Sequence, residues 1–231
     1  MYLLNLCIKY DIKLYYQLNN IPIEKYLKLK YIQMYIKKED INNKININNE
    51  EMIRNINNYD YNIVVPFIFY KTFNYDNLQL NIQEVFEFSE EIKINSNKLH
   101  SNNIINYISI HLRLGDKYLE TDNRYIQCIN DERFYNENIL FDFIEQNYDK
   151  NIFFFCDNNK YKLKIKKKYN NIIITNCNIG HTSLRNTTDE QTLDALTEFY
   201  LMTNSEKIIS ASYSGFSIIA SKFKNIPLIK L

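Results

Sequence analysis

From residue 104 to the C-terminus, short apolar runs rich in β-branched and aromatic residues alternate with longer amphipathic stretches. That alternation restricts the fold more than any other feature. A strand with one wet face alternates apolar and polar residues, whereas a strand covered by helices on both faces does not. The runs at 107–114 (YISIHLRL), 151–156 (NIFFFC), 171–175 (NIIIT), 207–212 (KIISAS) and 226–231 (IPLIKL) are of the second kind. Between them, helices are predicted near 131–147, 159–169, 189–205 and 214–223. The third is the best marked. Thr188 and Gln191 have the spacing of a capping box, and Leu193, Leu196, Tyr200 and Leu201 follow at helical intervals. Five strands with four crossovers predict an α/β fold with a doubly wound parallel sheet over 101–231.

Residues 1–100 are less regular, and a reduced α/β domain is expected there, the chain of 231 residues having room for two small domains. The pattern gives an amphipathic start (1–10), a strand at 12–16 (IKLYY), a helix at 24–38 (EKYLKLKYIQMYIKK), a polar Asn loop at 42–49 and a helix at 80–92. Pro66 limits the run at 62–70 (NIVVPFIFY) to an edge or bent strand.

Composition excludes several classes. Hydrophobic residues make up 45% and charged residues 24% of the chain, so a core can form and a disordered chain is excluded. Lys plus Arg is 28 against 27 Asp plus Glu, a net charge of +1, which gives no general drive toward nucleic acid or an anionic membrane. Asn occurs 35 times and Gly only three times. The Asn tracts reflect coding bias rather than a binding sequence, while each retained Gly (Gly115, Gly180, Gly215) is expected to mark a position that tolerates nothing else. Cys7, Cys128, Cys156 and Cys177 form no CxxC pair, so neither zinc site nor disulfide framework is indicated; Cys156 and Cys177 are expected in the core as thiols. No apolar run approaches the length of a membrane span and the N-terminus is too weak for a signal peptide, so a soluble, cytoplasmic protein is expected.

In an open parallel sheet, ligands bind beyond the carboxyl ends of the strands. The first strand ends in HLRLGDK, placing His111 and Arg113 on one face, with Gly115 and Asp116 following. An arginine there suits a diphosphate, because its planar fork binds two oxygens and keeps its charge; an ion pair with Asp116 is the alternative. The second strand breaks at Asp157, which would hold a ribose or, more readily, cap the next helix. The fourth ends in SASYSGFS, where Ser212, Ser214, Phe216 and Ser217 surround a turn into a helix and backbone amides and hydroxyls can meet a phosphate. No P-loop, GxGxxG or GxSxG is present.

HLRLGDK resembles the HxRxGD motif of the α-1,2-fucosyltransferases and is similar to the related stretch of α-1,6- and protein O-fucosyltransferases. The segment EFYLMTNSEKIISASYSGFSIIAS (198–221) resembles their later motif, 153–157 is similar to the strand-then-Asp segment between the two, and IQEVFEFSEE resembles the stretch preceding HxRxGD in bacterial members. The resemblance covers roughly 104–223. It implies a GT-B arrangement of two Rossmann-like domains and inverting transfer of fucose from GDP-fucose to a glycan acceptor, with no obligatory metal and no other cofactor. By position, Arg113 would grip the diphosphate as the catalytic cation, His111 the nucleoside, Glu198 the guanine and Ser214 a phosphate, with Ser212 and Ser217 beside it; Glu120 is the candidate base, and Asp116 would orient the loop or Arg113.

Two departures stand out. The second Arg usual after the first is Leu114, and no Gly precedes Gly115, so the Gly-rich N-terminal loop of the α-1,2 enzymes is missing from this sequence. A catalytically silent nucleotide- or glycan-binding relative is therefore the second hypothesis, and a plain α/β interaction domain the third.

Overall fold

A computed structural model of the chain describes residues 9–11, 22–30, 44–46, 50–55, 62–64, 82–99, 104, 106–122, 126, 128–181 and 187–231. The chain divides into two compact units, one of Met1–Asn19 with Leu29–Val85 and one of Asn20–Lys28 with Phe86–Leu231. The larger unit thus takes up a short N-terminal segment as well as 86–100.

Its centre is a five-stranded, fully parallel sheet of β1 (Ile108–Leu112), β2 (Ile152–Cys156), β3 (Ile172–Ile174), β4 (Lys207–Ser210) and β5 (Leu228–Lys230). Their spatial order is β3-β2-β1-β4-β5. β1 is therefore central and the order reverses between β1 and β4, which is a topological switch point. The helices are α1 (Glu90–Leu99), α2 (Glu137–Gln146), α3 (Asn159–Lys168), α4 (Asp189–Met202) and α5 (Gly215–Phe223). All five strands and the four crossover helices lie where the apolar runs and amphipathic stretches predict them.

The pleat of β1 separates two layers. Ile108, Ile110, Leu112 and Leu114 join Leu140, Ile144, Phe154 and Ile165 in one buried cluster. On the other face, Tyr107 meets Phe153 edge to ring, and His111 lies beside Phe216 and thereby the Phe199 and Phe223 group. Burying side chains of this size stabilises by about 1.5–3 kcal/mol each, so the central strands are the best-anchored part of the chain. The capping box at Thr188 and Gln191 forms as predicted, with Thr188 Oγ1 accepting from Gln191 N at 3.1 Å. α2 starts later than its pattern suggests because Asn136 caps it, accepting from Asn138 and Ile139 N.

Three expectations for the N-terminal half are corrected. Of the predicted helix at 24–38, the described part is a single turn (Ile23–Tyr26) followed by strand Leu27–Leu29, and 31–38 lie outside the described residues. The predicted helix at 80–92 is a short helix (Ile82–Val85), strand Phe86–Phe88 and then α1. The Asn tract is not all loop: Lys44–Asn46 pairs in parallel with Asn62–Val64, and helix Glu50–Arg54 lies between them in the chain. Parallel neighbours require such a crossover. The features expected at 12–16 and around Pro66 lie outside the described residues.

The glycines differ in kind. Gly115 has φ +111°, and a Cβ there would stand 2.4 Å from the Asp131 carbonyl oxygen. A Cβ at Gly180 would stand 3.0 Å from the side-chain amide of Gln191, which Thr188 N and Thr121 hold in place, and a Cβ at Gly215 would have nothing within 4 Å. The expectation that every Gly is irreplaceable fails at Gly215 and is best met at Gly115.

Candidate active site

The carboxyl ends of β1 and β4 meet at the switch point, and two reciprocal hydrogen bonds tie them there. Arg113 N donates to Ser212 Oγ at 2.9 Å, and Ser212 Oγ donates back to Arg113 O at 2.8 Å. This staple brings the HLRLGDK and SASYSGFS segments, about a hundred positions apart in sequence, onto one rim.

The loop after β1 is shaped by two buried aspartates. Asp157, at the end of β2, accepts from Leu114 N at 2.8 Å and Gly115 N at 3.0 Å, and its Oδ2 lies 3.0 Å from Arg113 Nη1. Asp116 pairs with Arg113 Nη2 and accepts from Cys128 N at 3.0 Å. The Arg113 side chain keeps 19% exposure while both carboxylate side chains keep 3%. The guanidinium is thus held by two buried anions, while part of the Arg113 side chain remains accessible. Of its five N–H donors, the two ion pairs engage only part. The alternative of a structural ion pair between Arg113 and Asp116 is present, and it positions the cation rather than hiding it. The expectation that Asp157 caps α3 is corrected: Asn158 is the cap, accepting from Tyr161 N at 2.8 Å, and Asp157 turns the other way to hold the loop.

The serines after β4 divide by what their hydroxyls already do. Ser212 is committed to Arg113, and Ser217 lies 2.9 Å from Ser210 Oγ and donates to Ser214 O at 3.1 Å. Both hold the strand-to-helix turn. Ser214 caps α5 by accepting from Phe216 N at 3.2 Å, and among the described residues its own proton has no acceptor. Ser214 with the first turn of α5 is therefore the part of this segment open to an anion.

A third group lies on the α4 and α5 face of the sheet. His111 is 7% exposed, its ring centroid is 5.7 Å from that of Phe216, and its buried Nδ1 has no hydrogen-bond partner. Burial, together with the charges of Arg113 and Lys162, pushes its pKa down to about 3, so the imidazole is neutral at physiological pH. Glu198, from α4, is not an open carboxylate: its Oε1 accepts from Lys162 Nζ at 2.6 Å and from Thr175 Oγ1. Lys162 is fully buried and donates also to Thr175 Oγ1 at 3.0 Å. Burial lowers the pKa of that ammonium, but the attraction of Glu198 and the bond to it prevail and hold it above the ordinary lysine value. Lys162 was missed in the sequence because it sits in a lysine-rich helix, NKYKLKIKKK. The available signal is its spacing: three residues before Ile165, it falls on the buried stripe of α3.

Glu120 lies elsewhere. It is exposed, and its Oε2 accepts from Asn159 N at 2.8 Å, so it covers the amino end of α3. On that flank of the loop, a cleft of about 330 Å³ is lined by Tyr118, Arg133, Tyr135, Tyr161 and Lys164 among others. Arg133 and Lys164 are there paired with Asp131 and Glu137. Cys156 and Cys177 are buried, as expected, and burial pushes both thiols up; Cys128, Cys156 and Cys177 are free.

The chain matches no protein-family model and no curated protein sequence. Among solved structures it is similar to the NodZ α-1,6-fucosyltransferase co-crystallised with GDP, at 14% identity and a TM-score of 0.47, covering 70% of this chain and 51% of that one. It is also similar to POFUT1 in complex with GDP, at 14% identity and a TM-score of 0.40, covering 64% of this chain and 48% of that one. The chain spans about half the length of each. Among the described residues, no helix is long and apolar enough to cross a membrane.

Proposed function

We propose that the chain binds GDP-fucose at the β1/β4 rim and transfers the fucose, with inversion, to a hydroxyl group of a glycan, as an α-1,2-fucosyltransferase-like enzyme. The observation that carries this reading is the staple between Ser212 and the Arg113 backbone, which ties the end of β1, where Asp116 and Asp157 hold the guanidinium, to the segment that leads into α5 at the switch point. In such a transfer the acceptor oxygen attacks the anomeric carbon as the bond to the diphosphate breaks, and the electron pair departs with GDP. Negative charge builds on the leaving diphosphate, and a fixed cation there lowers the barrier. Arg113 supplies that cation, and the hydroxyl of Ser214 with the first amides of α5 holds a phosphate. His111 and Phe216 bound the nucleoside, and Glu198 faces the guanine. Asp116, Asp157, Ser212 and Ser217 keep these groups in place. No metal or other cofactor is called on. The proton of the acceptor hydroxyl goes to Glu120 as base, which must first leave the amide of Asn159. Three free thiols fit a reducing compartment, and the proposed location is the cytoplasm.

A second reading, a nucleotide- or glycan-binding module without turnover, is favoured by Glu120 being engaged in capping α3 and by Leu114 standing where a second arginine is usual. The test is a thermal-shift series with GDP and ADP, followed by an assay for GDP release from GDP-fucose with a panel of oligosaccharides. Stabilisation by GDP that is lost in Arg113→Ala, with acceptor-dependent release of GDP, supports the enzyme. Binding without release supports the second reading, and no stabilisation by GDP overturns both.

A further inference from the structure

The cleft of about 330 Å³ on the α2 and α3 flank of the β1 loop takes no part in the transfer proposed above. Its volume is at the lower end of the range for small-molecule sites. Leu114, which continues the β1 face packed on α2 and α3, lines it from below, and three half-buried tyrosines, Tyr118, Tyr135 and Tyr161, supply aromatic surface. The rings of Tyr135 and Tyr161 stand at 86° to each other with centroids 6.0 Å apart, so they make a corner rather than a slot with parallel walls. Their hydroxyls form a chain: Tyr135 Oη donates to Tyr161 Oη at 3.2 Å, and Tyr161 Oη donates to Glu137 Oε1 at 3.0 Å. Tyr118 Oη donates to Glu132 Oε1, whose other oxygen accepts from Lys117 Nζ at 2.7 Å. The charges of the lining are mostly matched. Lys164 Nζ donates to Glu137 Oε1 at 2.7 Å and Arg133 Nε lies 2.8 Å from Asp131 Oδ1; among the described residues Lys160 is the lining cation left without a carboxylate partner, and it is exposed.

We propose that this cleft binds a neutral pyranose sugar, packed against Tyr118, Tyr135 and Tyr161 with its hydroxyls on Glu132, Arg133 and Lys164. The chemistry of the lining selects that class. An anion meets cations that are already neutralised and screened by water, and a carboxylate, Glu132, among them. A planar heterocycle needs a face to stack on along its whole width, which rings at right angles do not offer. A chair-shaped ring fits a corner: its C–H faces pack on the aromatic carbons, and its hydroxyls both donate to carboxylates and phenols and accept from guanidinium and ammonium groups. Each hydroxyl can do either, so a lining that presents fixed donors beside fixed acceptors satisfies several of them at once. The site is separate from the serine rim, which lies on the α5 flank of the same loop. It goes beyond the donor-site reading and depends neither on GDP nor on turnover.

The experiment is saturation-transfer NMR and calorimetry on the full chain with the methyl pyranosides of glucose, galactose, mannose and N-acetylglucosamine, and with adenosine and sodium sulfate as the planar and anionic alternatives. At least one pyranoside is expected to bind with roughly millimolar affinity, as a ligand of that size allows. Its affinity should change by less than about twofold between about 50 and 500 mM salt, because no net charge is engaged. Tyr118→Ala and Tyr135→Ala are expected to weaken it by about tenfold or more, and Tyr135→Phe, which keeps the ring, by less. Should a tyrosine variant fail to fold, Lys164→Ala carries the same test with a severalfold loss, since that side chain is 57% exposed. Whatever GDP does to the melting temperature of the wild type, it should do to Tyr135→Ala, so failure of this site and failure of the donor rim are told apart. Absence of binding by all the pyranosides overturns the proposal, and so does binding that the alanine variants leave unchanged. Adenosine or sulfate binding more tightly than every pyranoside, with the binding lost in Tyr135→Ala, gives the cleft to another class of ligand and overturns it as well.

Discussion

Asp157 Oδ2, at the end of β2, lies 3.0 Å from Arg113 Nη1, at the end of β1, while the same carboxylate accepts from the amides of Leu114 and Gly115. One side chain thus fixes both the charge that the proposed reaction needs and the backbone that presents it. Removing Asp157 costs about 3–5 kcal/mol, because the two amides lose their acceptor and the guanidinium keeps only Asp116. Asp157→Ala is therefore expected to lower the melting temperature by roughly 10 °C and to abolish stabilisation by GDP. An unchanged melting temperature would show that the loop is held by other means.

Gly115 and Gly215 make a controlled comparison. At Gly115 the backbone has φ +111° and an added methyl group would collide with the Asp131 carbonyl. Gly115→Ala should therefore destabilise by about 2 kcal/mol or more. At Gly215, the first residue of α5, the space is open, and Gly215→Ala should be neutral or stabilise by about 0.5 kcal/mol. Urea denaturation of the two variants decides it, and equal costs would contradict the geometry.

How far the sequence could be read depended on length and on range. The strands of the sheet were legible because a run such as NIFFFC is apolar throughout and flanked by turn residues, and the rim followed because Arg113 and Ser212 end two such runs. LKL and FEF were not legible: three-residue strands beside helical turns have no period of their own, and pairing rather than pattern forms them. Glu120 capping a helix 39 positions away, and Asp157 reaching back to Leu114, are contacts that no local signal encodes. The Lys162–Glu198 pair was partly legible, from one lysine on a buried stripe.

His111 makes stability depend on pH with a definite sign. Its pKa is about 3 in the folded chain against 6.5 for the ordinary side chain, so between these values the unfolded state binds a proton that the folded state does not. Stability is therefore full above pH 6.5 and declines as pH falls toward 3, by at most about 1.4 kcal/mol per pH unit for this one proton. His111→Gln should flatten the curve between pH 6.5 and 5, where most carboxylates remain charged. Equal slopes for the two proteins would mean that the imidazole is reached by water and protonates freely.

Glu120 separates chemistry from architecture, because a cap and a base respond differently to the same substitution. Glutamine keeps an oxygen that can accept from Asn159 N, so Glu120→Gln should cost less than about 1 kcal/mol in stability and leave GDP binding unchanged. It cannot take a proton from an acceptor hydroxyl. If Glu120 is the base, turnover with GDP-fucose and a saturating acceptor should fall by about 10²-fold or more while the affinity for GDP stays put. Turnover equal to that of the wild type would leave Glu120 with its capping role alone, and the base would then have to come from another residue or from the acceptor itself.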